Sequence, residues 1–323
     1  MDDPLAGVLM LTGVGAAAAQ ARSSVDALLR HPAMRRDAGR IAALSALRGA
    51  QASAALDGGD PDTLGSLDAV GSAAADLAGH GALAAADGVG ADRAPASVGG
   101  SAPAGGPPLA GGPPPAGVPA LAGGPAPAGG PGAGGHPGEA GEPGVAGDPV
   151  LQGALRVTAA VPELAQIWSR SPRQALARLH VLAARDLVAD PDQLGRPRAS
   201  ADAERLDQLL RLATAPTAAP GVVVAAIVHG ELLALRPFGT ADGVVARAAE
   251  RVVLVALGVD TKAAGVPEAG HLALQRAYEP LARAYAEGRP EGVGAWVRQC
   301  ADAYARGAEV GLTLAERVRA AAS

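Results

Sequence analysis

Apolar residues recur at the three- and four-residue intervals of an amphipathic helix over Pro4–His31 and again over Met34–Asp57. Val25, Leu28 and Leu29 mark the first stripe and Ile41, Leu44 and Leu47 the second, with Arg and Asp on the opposite faces. The pattern predicts two antiparallel helices. It returns over Val150–Ala160, Pro162–Trp168, Pro172–Leu187, Ala199–Ala213, Val222–Leu235, Gly243–Leu257, Glu268–Glu287 and Glu291–Ala320. Val161-Pro162 opens the second of these, as proline suits the first turn of a helix. Gly258 and Gly288 follow two of the stretches, as glycine often follows a helix end. No segment alternates with period two. The apolar run Val222–Val228 has strand-like composition, but no alternation of strands and helices surrounds it, so the predicted class is all-α.

Between the two helical regions the pattern is lost. The stretch to about Ala86 is rich in Ala, Asp and Leu and predicts at most one weak helix, and Ala94–Pro149 is dominated by Gly, Pro and Ala in repeats such as Pro103-Ala104-Gly105-Gly106. Such a segment buries too little apolar surface to offset the entropy of ordering, and it reads as a disordered linker. Gly-X-Y triplets occur by chance within it and are too few for a triple helix. The expected organisation is an N-terminal helical hairpin over residues 1–60, a low-complexity linker over 61–149 and a helical domain over 150–323.

Composition narrows the partners. Aromatic residues are 2% of a chain that is 49% apolar, so the core must be built from Ala, Val and Leu in closely packed helices. A formal net charge of −5 argues against a general grip on nucleic acid or an anionic membrane. The apolar stretch Leu5–Ala21 follows Asp2 and Asp3 where an export signal carries positive charge, and no run of about 18 apolar residues is free of Gly, His or charge. A single cysteine, Cys300, permits no intrachain disulfide. The chain is expected to be soluble and cytoplasmic.

Most candidate chemistry has a plain structural explanation. The six histidines show no His-x-x-x-His spacing, so no metal ligands are expected, and His180 and His229 read as polar residues of helix interfaces. Cys300 shares a helix face with Trp296 and Tyr304 at four-residue spacing, which marks a packed face. Gly13 and Gly15 lack the strand and the third glycine of a dinucleotide fingerprint, and no redox-cofactor motif occurs.

One segment says more. Between His229 and Arg247 lies a helix, a Pro237-Phe238-Gly239 turn and a second helix opening at Asp242-Gly243. By itself this is an ordinary connection, or an anion site formed by the unpaired N–H groups of the second helix. The stretch resembles the signature His-Pro-Phe-x-(Asp/Glu)-Gly-Asn-Gly-Arg-x-x-Arg of the Fic (Fido) family, with Pro237, Phe238, Gly243 and Arg247 in register. Leu179-His180 and Leu194-Gly195-Arg196-Pro197-Arg198 resemble two further landmarks of that family. Ser53-Ala54-Ala55-Leu56-Asp57-Gly58 is similar to its inhibitory (Ser/Thr)-x-x-x-Glu-(Gly/Asn) helix, with Asp for Glu. The resemblance covers about residues 35–58 and 150–290 and implies a Fic-like helical bundle.

It also implies a chemistry, in which the loop cradles nucleotide phosphates, the histidine is the base for a target hydroxyl, the acidic residue holds Mg²⁺ and the arginines hold phosphate. The candidate nucleotide- or anion-binding residues are Gly239, Thr240, Asp242, Gly243 and Arg247, with Ser53, Asp57 and Gly58 as the inhibitory motif. Here Arg236 stands at the histidine position and stays protonated, which removes a base and typically costs about 10²–10⁴ in rate. Thr240 replaces the metal-binding acid, Ala241 and Asp242 replace Gly and Asn, and Val244 replaces the first arginine. A carboxylate at Asp242 aimed at phosphate would repel it. Two readings stay open. One is a weak or inactive pseudoenzyme acting as a regulatory or interaction module on a protein partner. The other is an active protein nucleotidyltransferase of the AMPylation type using ATP and Mg²⁺.

Overall fold

The computed structural model describes residues 3–59 and 148–322, and among these residues there are helices, turns and no strand. The helices are α1 (Ala6–Leu9), α2 (Val14–Leu29), α3 (Ala38–Leu56), α4 (Pro149–Trp168), α5 (Pro172–Ala184), α6 (Ala203–Thr214), α7 (Gly221–Leu235), α8 (Asp242–Ala256), α9 (Pro267–Ala273), α10 (Gln275–Ala286) and α11 (Pro290–Ala321). The weak helix expected before Ala86 and the linker over 61–149 lie outside the described residues, apart from the last two linker positions, which open α4. None of the described helices is long and apolar enough to cross a membrane.

The centre of the bundle is α7 laid against α8. Helix α7 is apolar on all sides, with Val222 to Gly230 buried without interruption, so it is enclosed by other helices rather than exposing a face to solvent. It packs on α6, α10 and α11, while α8 packs on α3, α4 and α5, and α2 lies along α11. The expected N-terminal hairpin is not formed: α2 packs on α11 and α3 on α4 and α9 rather than the two on each other. Both share the core of the later helices, and Ile41, Ala50 and Ala54 of α3 are as buried as Leu151 and Ala154 of α4.

Three boundaries differ from those the pattern predicts. The first predicted helix is divided, because Gly13 takes φ 78° between α1 and α2. The break expected at Pro162 is absent, and α4 runs straight through it. Val157, Val161, Leu164, Ala165 and Trp168 continue one buried stripe across the proline, and that burial outweighs the roughly 3 kcal/mol a mid-helix proline costs. Conversely, the single helix expected over Glu268–Glu287 is two, because the backbone at Leu274 leaves helical geometry at φ −105°, ψ 17°.

With few aromatics to fill space, the helices approach until small residues touch. A Cβ on Gly270 of α9 would run into the carbonyl of Ala303 in α11. A Gly270→Ala chain is therefore expected to lose about 1–3 kcal/mol from overpacking, against the usual gain for alanine in a helix. Gly15→Ala at the start of α2, where nothing stands within 4 Å of the added carbon, should be neutral or slightly stabilising. Urea unfolding of the two variants checks the contrast.

Candidate functional site

Helix α7 ends at Arg236, whose backbone turns left-handed at φ 44°, ψ 59°, and the chain re-enters α8 through Ala241, again left-handed at φ 54°. The loop between them is closed by Asp242, whose carboxylate accepts hydrogen bonds from the N–H groups of Phe238 (3.0 Å) and Gly239 (2.8 Å). Burial raises the Asp242 pKa, and these two bonds work against that rise. This corrects one expectation. Asp242 does not aim a charge at a ligand but spends both oxygens on its own loop.

The two landmarks from the preceding segment meet this loop. Arg198 donates from its backbone N–H to the carbonyl of Pro237 (2.9 Å) and from Nε to that of Arg236 (3.0 Å). The ring of His180 stacks on Phe238 with centroids 4.0 Å apart, and its Nδ1 accepts from the N–H of Gly195 at 2.9 Å. Burial lowers the pKa of His180 to about 4, so the ring is neutral near pH 7.

Arg247 lies in the second turn of α8 with its side chain 1% exposed. Nε donates to Ser53 Oγ (2.9 Å), one terminal nitrogen donates to the Ser53 carbonyl (2.9 Å) and pairs with the Asp57 carboxylate (2.8 Å), and the other donates to the Tyr278 hydroxyl (3.3 Å). Burial alone would lower the Arg247 pKa, but Asp57 and Tyr278 more than offset it and the value is raised. Asp57 closes α3, is about a quarter exposed, and lies directly over Gly243. A Cβ at Gly243 would stand 2.5 and 2.7 Å from the Asp57 oxygens, so only glycine lets the carboxylate settle on the start of α8.

These groups border a cleft of about 660 Å³. Arg236, Gly239, Asp242, Gly243, Arg247, Asp57 and Gly58 line it; Thr240 and Ser53 do not. Arg236 is largely exposed, 4.0 Å from Asp242. Tyr278, Glu279 and Arg283 of α10 form the opposite wall, which the sequence motifs do not announce. No histidine is among the lining residues.

Behind the cleft lies a second constellation. Glu250 of α8, fully buried, receives His229 Nδ1 of α7 (2.8 Å), His271 Nε2 of α9 (3.0 Å) and the Tyr304 hydroxyl of α11 (2.6 Å). His229 Nε2 meets the Tyr278 hydroxyl at 2.7 Å, which links the cluster to Arg247. Burial disfavours the Glu250 charge, but the two histidines outweigh it and hold the carboxyl below its usual range. Burial brings His229 down to about 4 despite that carboxylate. His229 and Cys300 are interface residues, as expected, but Glu250 and His271 had no motif to mark them. Each member sits on a different helix, so no sequence spacing records the group.

A double-mutant cycle of Asp57→Ala and Arg247→Ala should give a coupling of about 1–3 kcal/mol, with Arg247→Ala alone costing about 3–5 because it strands Asp57 and Ser53. A coupling near zero would mean the two side chains do not interact in solution. The depressed histidines set a pH dependence. His180 and His229 are neutral in the fold but take a proton near pH 6.5 when unfolded, so stability is full above that pH and falls as the pH drops towards 4. The urea midpoint at pH 5 should lie below that at pH 7, and His180→Gln should reduce the difference.

No family model matches the chain, and no curated protein matches it.

Proposed function

We propose that this chain is a Fic-like domain that works as a regulatory or interaction module, with an anion site at the start of α8 and little or no transferase activity. The observation that carries this reading is the seat of the Asp57 carboxylate, held by Arg247 over Gly243. Arg247 holds the carboxylate there, beside a helix start whose first N–H groups are unpaired and whose dipole favours negative charge. Another anion, such as a nucleotide phosphate or an acidic group of a protein partner, would find the same donors once Asp57 moved aside. The exposed Arg236 at the rim adds a positive group, whereas Arg283 on the opposite wall is paired with Glu279 at 3.4 Å. On this reading the protein acts in the cytoplasm on a protein partner.

Group transfer lacks its parts. A hydroxyl nucleophile needs a proton acceptor, and Arg236 offers only donors. Tyr278 cannot substitute, since burial raises its pKa above the usual value. The residues also do not fit Mg²⁺, which wants carboxylate oxygen ligands. Thr240 is outside the cleft, Asp242 is committed to two backbone N–H groups, Asp57 to Arg247, and Glu279 on the far wall to Arg283.

Calorimetric titration of the full chain with ATP and with pyrophosphate, with and without Mg²⁺, tests the reading. Binding should be weak in the unaltered chain, strengthen tenfold or more in Asp57→Ala, be lost in Arg247→Ala, and depend little on the metal. Robust Mg²⁺-dependent labelling of protein by ATP, abolished by Arg247→Ala, would replace this reading with that of an active transferase.

A further inference from the structure

The cluster behind the cleft carries an inference of its own, independent of what the cleft binds. We propose that His229, Glu250, His271 and Cys300 form a buried site for one zinc ion. Their donor atoms all lie within 4.8 Å of one another, and all four residues are buried. They come from α7, α8, α9 and α11, so an ion held there would tie together helices from each side of the core. Two imidazoles, a carboxylate and a thiol are the donor types zinc takes in closed structural sites.

Charge favours an ion. The other buried arginines are paired: Arg247 with Asp57, and Arg251 with Glu268 at 3.2 Å. Among the described residues the ion-pair partners of Glu250 are His229 and His271 alone. Its carboxylate is buried and held by hydrogen bonds, with no arginine or lysine of the described residues bonded to it. Zinc would bind with loss of the Cys300 proton, and the doubly charged ion would then neutralise one carboxylate and one thiolate. Each imidazole would move its proton to the ring nitrogen away from the ion, so none is lost there.

Geometry requires a modest rearrangement. His229 Nδ1 and His271 Nε2 stand 2.8 and 3.2 Å from Glu250 Oε1. Tetrahedral nitrogen and oxygen ligands about 2.0–2.1 Å from zinc are roughly 3.3 Å apart, so these two pairs would spread by at most about half an ångström, while donors as far as 4.8 Å apart would close by about an ångström. Two ligands already have the supporting contacts that orient such sites, Tyr278 on the far nitrogen of His229 and Tyr304 on Glu250, while the far nitrogen of His271 is buried without a partner. The site is closed to solvent, so the ion enters while the chain folds and leaves slowly.

The test uses the full chain produced in minimal medium supplemented with zinc or with cobalt, then dialysed against metal-free buffer. Elemental analysis should find about one zinc per chain. The cobalt form should show the visible bands of a tetrahedral ion and a near-ultraviolet thiolate band. Cys300→Ser should lose the thiolate band and release zinc to a chelator at least tenfold faster. A folded, unaltered chain that carries less than about a tenth of an equivalent of either metal would overturn the proposal. So would cobalt bands that are the same in Cys300→Ser, and the cluster would then be a hydrogen-bonded core network alone.

Discussion

The burial of one guanidinium organises this molecule. A positive charge removed from water is tolerable only when its donors are matched, and Arg247 is matched by groups from three places in the chain: Ser53 and Asp57 in α3, Tyr278 in α10, and through Tyr278 the His229–Glu250 pair. The end of α3 docks where it does because Ser53 and the closing Asp57 supply those partners. Gly243 is needed for the same reason, since a side chain there would push Asp57 off the start of α8.

The aromatic residues follow the same constraint. Of two Trp, three Tyr and one Phe in the chain, Trp296, Tyr278 and Tyr304 gather around His229, His271 and Glu250, and Tyr285 packs on Trp296. Elsewhere the core is mostly alanine, valine and leucine at short range, with Trp168 buried in α4 and Phe238 stacked on His180. The tyrosines are there for their hydroxyls as much as their rings: Tyr278 and Tyr304 complete the network, and Tyr285 donates to Glu231, which also holds Arg205. The Trp296 indole N–H reaches the Ala226 carbonyl at 2.9 Å and pins α11 to α7.

The helices were legible in the sequence because their apolar spacing is local, and the meeting of Asp57 with Arg247 followed from two short motifs read together. The errors have local causes too. Pro162 was read as a helix start because proline suits a first turn, whereas the continuous buried stripe that carries α4 through it depends on α3, α5 and α8 packing around it. Asp242 was read as a charge facing the ligand because its side-chain direction depends on the left-handed turn at Ala241. Glu250 and His271 were invisible, since their role exists only when four separate helices come together.

Asp57 pairs with Arg247 and lies over Gly243 at the start of α8, the place proposed for an anion. Amide chemical shifts of Gly243 and Val244, followed by NMR while pyrophosphate is added to the unaltered chain and to Asp57→Asn, test it most directly. The account predicts that both signals already differ between the two chains, and that pyrophosphate moves them strongly only in Asp57→Asn. Amides that are identical in the two chains and indifferent to pyrophosphate in both would contradict it.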